Sequence, residues 1–321
     1  MPNITSSYRA PLFLRNGHAN TIFPSLFRRL KPVMSRREMI DTLDHDFLCL
    51  DWYETGSRRL VIVSHGLEGH SERPYVLGMV RHMNKLGWDA LAWNFRSCGP
   101  KMNRQKRFYH SGATDDLAHV VAHASEQGYQ EIALVGFSMG GNLTLLHAGR
   151  EAAELNDKVV GAVGVSVPCD LEGCANQLAQ PNNRIYMKRF LRDLYGKMQA
   201  KQETFPEDIS VEHYAEIRDF RQFDDAYTAP LHGFKDATDY WTQSSCLSYL
   251  KDISIPALLI NAKDDPFLSE SAYPYQQADD SSHLYLETPG NGGHVGFVSF
   301  NSDGSYWIDQ RVCEFLSGLV G

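Results

Sequence analysis

Residues 132–142 run Ile132-Ala133-Leu134-Val135-Gly136-Phe137-Ser138-Met139-Gly140-Gly141-Asn142. The first six lack polar alternation, which predicts a strand buried on both faces. Gly136, Ser138 and Gly140 then fit G-x-S-x-G, and a helical stretch follows directly. The glycines allow a sharp strand-to-helix turn without side-chain clash. Such a turn lifts the Ser138 hydroxyl into the cleft at the carboxyl end of a sheet. It also aims the new helix N-terminus, with the Met139 N–H, at the same point. A glycine-rich turn carrying a structural serine is the bland reading; the flanking strand and helix favour a nucleophile.

Outward from this turn the chain repeats one rhythm. Strand-length apolar runs occur at 60–65 (LVIVSH), 89–95 (DALAWNF), 160–167 (VGAVGVSV), 257–262 (ALLINA) and 283–288 (HLYLET). Helices are predicted between them, over 74–86, 114–127 and about 139–155, with a last one over about 306–319. Pro74 suits a first helical position, and Asp115 and Asp116 suit a first turn. Strand–helix alternation of this kind predicts a mostly parallel sheet with helices on both faces. Residues 37–54 instead suggest two strands joined by a short polar turn, an antiparallel pair at the N-terminal side.

The rhythm breaks between Cys169 and Lys251, where no buried strand is predicted. The stretches IYMKRFLRDLYGKMQ, VEHYAEIRDFRQF and DATDYWTQSS read as helices, and the interval is too long for a plain loop. The predicted organisation is a core of residues 1–168 and 252–321, with an N-terminal arm over about 1–36. Residues 169–251 form a helical cap insertion. Tyr186, Phe190, Tyr240 and Trp241 could wall a pocket or simply pack inside that cap. In the arm, arginines mix with Phe13, Leu14, Ile22, Phe23, Leu26 and Phe27. Pro11, Gly17, Pro24 and Pro32 interrupt the stretch, so an arm packed on the domain is preferred over a membrane-surface helix.

A serine hydroxyl needs an adjacent base. Partners of a nucleophile at such an elbow follow later in the chain, acid before histidine. Of the 13 histidines, His294 stands in the glycine-rich Asn291-Gly292-Gly293-His294-Val295-Gly296, after the last predicted strand. The strand before ends in Lys263-Asp264-Asp265-Pro266, so Asp264 and Asp265 both qualify as the residue that orients the base. Ser64-His65-Gly66-Leu67-Glu68-Gly69 follows the first long buried strand. Its Leu67 N–H would be the second oxyanion donor, opposite Met139, with His65 bracing the loop. Asn94-Phe95-Arg96-Ser97-Cys98-Gly99 ends another strand and reads as structural: Arg96 would hold the loop, and Cys98 has no base.

Composition narrows the rest. The 321 residues are 43% hydrophobic and 22% charged, with a net charge of −8. That suffices for one large core and lacks the basic footprint of a nucleic-acid partner. Six cysteines without CxxC spacing fit free thiols in a reducing cytoplasm. The N-terminus has no apolar segment of signal-peptide type, and no run of eighteen apolar residues predicts a membrane span. No metal-ligand spacing is present, and no cofactor is expected.

Together RNGHANTI (15–22), SHGLEGHSERPY (64–75), NFRSCG (94–99), GFSMGGN (136–142), AKDDPF (262–267) and GGHVGF (292–297) resemble the YheT-like branch of the α/β hydrolases, over nearly the whole chain. The resemblance implies the α/β-hydrolase fold and a Ser138–Asp265–His294 triad, with Asp265 chosen because it directly precedes proline. It also implies carboxylesterase-type activity on a small-molecule ester. Thioesterase, amidase, lipase and acyltransferase chemistry would use the same triad. A serine at the elbow argues against the aspartate-dependent dehalogenases and epoxide hydrolases. A non-catalytic binding protein would be expected to have lost a triad member. Eukaryotic relatives carry a membrane-spanning N-terminus, of which this sequence shows no trace. The loop GLEGHS departs from the usual GLTGGS-like form, so Glu68 and His70 are expected to add polar bulk near the oxyanion hole.

Overall fold

The computed structural model describes residues 3–320. Nine strands form one sheet: β1 (Asn3–Ile4), β2 (Arg36–Asp41), β3 (Phe47–Tyr53), β4 (Arg59–Ser64), β5 (Asp89–Asn94), β6 (Glu131–Phe137), β7 (Val159–Val165), β8 (Ala257–Ile260) and β9 (Leu284–Glu287). Their spatial order is β1-β9-β8-β7-β6-β4-β5-β3-β2. Pairing is antiparallel between β2 and β3 and between β3 and β5, and parallel elsewhere. The six apolar runs supply β4 to β9, and residues 37–54 supply the antiparallel pair. This is the α/β-hydrolase fold expected from the sequence.

The helices are α1 (Gly17–Phe27), α2 (Pro74–Lys85), α3 (Thr114–Glu126), α4 (Met139–Arg150), α5 (Leu171–Leu178), α6 (Arg184–Thr204), α7 (Phe220–Phe223), α8 (Ala229–His232), α9 (Ala237–Ser244), α10 (Tyr275–Asp279) and α11 (Trp307–Ser317). Alternate residues of the central strands face opposite sides. Leu60, Ile62, Ile132 and Leu134 pack with α3 and α4, while Val61, Val63, Ala133 and Val135 pack with α2 and α11. A strand covered on both sides has no solvent face, which is why these runs carry no polar alternation. Helix α4 ends at Arg150, short of 155, where the chain tightens into four-residue turns from Gly149 to Ala152 and from Glu151 to Glu154.

Helices α5 to α9 all lie between β7 and β8. The long helix α6 buries Tyr186, Met187, Leu191, Leu194 and Met198. Two of its lysines tie it to the core. Lys197 Nζ lies 2.8 Å from Glu68 Oε1, and Lys201 Nζ donates to Asn103 Oδ1 at 2.7 Å. Arg96 is buried against Asp46 and Asp116 and also reaches Asp44. It thereby joins the β2–β3 turn to the start of α3.

Candidate active site

Ser138 sits between the end of β6 and the start of α4 with φ +54° and ψ −120°. A side chain pays steric strain in that region, and strain of this kind persists only where the surroundings enforce it. Here the Ser138 N–H is held by the Val165 carbonyl at 2.8 Å and its carbonyl accepts from Asn142. His294 Nε2 lies 2.8 Å from Ser138 Oγ. On the other edge of the ring, His294 Nδ1 lies 2.9 Å from Asp265 Oδ2 and 3.2 Å from Oδ1. Asp265 Oδ1 also accepts from the Phe267 N–H at 2.9 Å, which fixes the carboxylate. Phe267 covers the imidazole with ring centroids 4.1 Å apart. Ser138, Asp265 and His294 follow the carboxyl ends of β6, β8 and β9, with β7 lying between β6 and β8.

Asp264 has a different position. Its Oδ1 accepts from the Gly293 N–H at 2.9 Å and its Oδ2 from the Asn291 side chain at 3.3 Å. Burial raises its carboxyl above the ordinary carboxylate range. Asp265 therefore faces the ring and Asp264 faces the loop that carries it.

That loop is strained and held from several sides. Val295 and Phe297 have φ of +55° and +42°. Gly293 has φ +58°, and a methyl group there would collide with the Gly17 carbonyl. Consecutive main-chain N–H groups are caught by side chains distant in sequence. Gly293 donates to Asp264, His294 to Thr21 Oγ1 at 2.8 Å, and Val295 to Ser166 Oγ at 2.9 Å. Val298 donates to Asn20 Oδ1 at 3.2 Å. The N-terminal arm is thus packed on the domain against the histidine loop. Asn20, Thr21 and Ser166 were invisible as site residues in the sequence. RNGHANTI entered only as one motif of the family resemblance, with no role given to its side chains.

The loop after β4 approaches from the other side. A methyl at Gly66 would stand 3.2 Å from Ser138 Cβ. His65 is fully buried; its Nε2 accepts from the Phe95 N–H at 3.2 Å, and its Nδ1 lies 2.8 Å from the Gly66 carbonyl. Burial pushes this imidazole down to about 3, so it stays neutral and donates to that carbonyl. Gripping the Gly66 carbonyl fixes the peptide plane whose other end is the Leu67 N–H. The N–H groups of Leu67 and Met139 have no acceptor among the described residues. Glu68 and His70 do not line the cleft. Glu68 turns away to Tyr109 and to Lys197, so the polar bulk expected beside the hole points elsewhere. Lys197 also donates to Cys98 Sγ at 3.2 Å, and burial pushes that thiol up to about 11.

A cleft opens over Ser138 and His294. Its wall is mainly apolar, with Leu171, Leu178, Leu194, Phe220, Phe223 and Phe267 among its residues. Of the four aromatics singled out in the sequence, Phe190, Tyr240 and Trp241 line it. Tyr186 instead stacks on His18 with centroids 5.7 Å apart. Asp224 is the carboxyl of this wall; it accepts from Trp241 Nε1 at 2.8 Å and from Thr228 Oγ1 at 2.5 Å. Burial raises it to about 7.

A strand-to-helix elbow, a histidine loop after the last strand and an acid after the preceding one define a class of protein. Residues 59–300 match the family model described as alpha/beta hydrolase fold, and the chain belongs to that family. Within it, the chain is 33% identical over 310 residues to "Putative esterase YheT" of Escherichia coli (strain K12), with 94% of this chain and 90% of that one covered. This places it in the YheT-like branch. It is 26% identical over 331 residues to "Phospholipase ABHD3" of Homo sapiens, covering 99% of this chain and 80% of that one. Among solved structures, the Pyrococcus furiosus esterase Pf2001 shares the fold with a TM-score of 0.61 at 18% identity, over 91% of this chain and 95% of that one. Among the described residues, no helix is long and apolar enough to cross a membrane.

Proposed function

We propose that the protein is a serine carboxylesterase that cleaves esters with an apolar acyl chain through an acyl-serine intermediate. The observation that carries this reading is the chain of contacts from Ser138 Oγ to His294 Nε2 at 2.8 Å and from His294 Nδ1 to Asp265 at 2.9 Å. Ser138 Oγ attacks the ester carbonyl carbon while its proton passes to His294 Nε2. Asp265 accepts the Nδ1–H, which fixes the tautomer and stabilises the imidazolium. The oxyanion lies between the N–H groups of Leu67 and Met139, at the N-terminus of α4. His294 then returns the proton to the departing alkoxide. In the second half it takes a proton from water as the hydroxide attacks the acyl carbon, then passes that proton to Ser138 Oγ as the acyl–oxygen bond breaks and the acid leaves.

The acyl chain lies along the apolar wall of the cleft, where its burial contributes roughly 0.8 kcal/mol per methylene. Helices α5 to α9 serve as the cap that supplies most of this wall. The names of the E. coli and human relatives, an esterase and a phospholipase, agree with ester chemistry. Six free thiols fit a reducing, cytoplasmic compartment. Treatment with a fluorophosphonate followed by peptide mass spectrometry tests the reading. The expected adduct is on Ser138, and it should compete with p-nitrophenyl butyrate hydrolysis. An unlabelled protein, or a label on another residue, would overturn it.

A further inference from the structure

A surface helix ordinarily lays its apolar stripe inward. Helix α1 does so only in part: Ala19 and Phe23 pack against the core, half-buried. Gly17 and Asn20 are its buried residues, and Thr21 meets the histidine loop, while Ile22, Leu26 and Phe27 are exposed. Leu26 and Phe27 are 54% and 63% exposed, and Leu12, Phe13 and Val33 of the flanking arm reach 78%, 67% and 81%. The aromatic members form one contiguous group. Phe13 stacks on Phe300 at 5.9 Å, Phe23 contacts both, and Phe23 meets Phe27 at 4.7 Å. Phe300, from the loop after the histidine, is itself 62% exposed. Contiguous exposed apolar surface of this kind marks an interaction site.

The charge on this arm is equally one-sided. Residues 1–37 contain seven of the 31 Lys and Arg and none of the 39 Asp and Glu, in a chain whose net charge is −8. Arg28, Arg36 and Arg37 are neutralised by carboxylates of the domain body. Arg9, Arg15, Arg29 and Lys31 are exposed and form no ion pair among the described residues.

We infer that the arm and the outer side of α1 dock this protein on an anionic lipid bilayer surface. Exposed Phe and Leu side chains beside unpaired cations match the boundary between acyl chains and anionic headgroups. A second copy of the chain fits less well. A two-fold contact would bring the unpaired cations of both copies into one interface with no carboxylate from the arm to offset them. The docking stands independently of the proposed reaction. It places the bilayer against the helix whose inner side holds the His294 loop.

Sedimentation with lipid vesicles tests this directly. The full chain is expected to sediment with vesicles of phosphatidylglycerol and phosphatidylcholine, and to lose that binding in 0.5 M NaCl, about where surface charges are screened. Vesicles of phosphatidylcholine alone should retain little. Phe13→Ser with Phe27→Ser, and separately Arg15→Glu with Lys31→Glu, should each weaken binding by on the order of tenfold or more. Circular dichroism and the thermal midpoint, rather than turnover, confirm that these variants are folded, so the result does not depend on the esterase reading. No binding to anionic vesicles, equal binding to neutral ones, or folded variants that bind like the parent would overturn the inference. So would a concentration-dependent dimer in analytical ultracentrifugation that the Phe13/Phe27 variant abolishes.

Discussion

The main-chain N–H of His294 donates to the hydroxyl of Thr21 across 2.8 Å, joining residues 273 positions apart. The Thr21 hydroxyl in turn donates to the Gly17 carbonyl at 2.7 Å, so its lone pair is aimed at the loop. An N-terminal helix that carries none of the reacting groups therefore helps set where the imidazole stands. Val295 and Phe297, at positive φ, give the same loop a reason to relax if released.

Thr21→Val should leave the His294 N–H without its acceptor and let the loop drift. A displacement of about 1 Å costs on the order of 100-fold in rate, so kcat should fall by roughly 10- to 100-fold with KM little changed. Thr21→Ser restores the hydroxyl and should recover most of the rate. Steady-state kinetics on a soluble ester, with thermal melting alongside, check this. A Thr21→Val enzyme with parental kcat would show that the arm does not position the base.

The strained backbone of Ser138 predicts a stability difference between two inactive variants. Both Ser138→Ala and Ser138→Gly lose the hydroxyl and its contact with His294, and both should lose nearly all turnover. Alanine retains the cost of φ +54°, which is about 1–3 kcal/mol. Glycine escapes it but adds about 0.5–1 kcal/mol of chain entropy on folding. Strain is the larger effect, so Ser138→Gly should be more stable than Ser138→Ala by about 1 kcal/mol. Urea titration of the pair measures the difference; equal midpoints would mean that the elbow stores no strain.

Two adjacent carboxylates should separate cleanly. Asp265→Asn removes the acceptor for His294 Nδ1–H and favours the wrong tautomer, so kcat should fall by about 10⁴-fold. Asp264→Asn keeps an amide oxygen that can still accept from Gly293, and a loss of no more than roughly tenfold is expected from a residue that only braces the loop. Parallel kinetics on the two variants decide between them. A larger loss at 264 than at 265 would reverse the roles assigned here.

Much of this was legible because it is local. Buried strands at 60–65 and 132–137 declare themselves by unbroken apolar runs, and the elbow by two glycines flanking Ser138. His294 was singled out by its place after the last strand, and Asp265, through the family resemblance, by the proline that follows it; the structure sets both in line with Ser138. The arm was not legible in the same way. Asn20 and Thr21 act on residues 298 and 294, and contacts of that sequence separation leave no periodic trace. The helix also departs from the rule that sequence patterns rest on, since it buries Asn20 while Ile22, Leu26 and Phe27 stay exposed. Glu68 misled for a related reason. Its partner Lys197 lies in α6, 129 residues further on, so local sequence suggested bulk in the pocket where the structure has an ion pair behind it.

Asp224 gives the cleft wall a pH-dependent stability of predictable sign. Its carboxyl is raised by burial from 3.8 to about 7 in the folded chain. Between those values the folded state holds a proton that the unfolded state has released. Stability should therefore fall as pH rises from about 4 to 7 and level off above that, by an amount on the order of a few kcal/mol. Asp224→Asn cannot ionise and can still offer an oxygen to Trp241 Nε1. The variant should melt higher than the parent at pH 8, with the gap closing toward pH 5. Thermal melts of both proteins across this range supply the check, and parallel curves would mean that Asp224 is already ionised in the folded protein at pH 5.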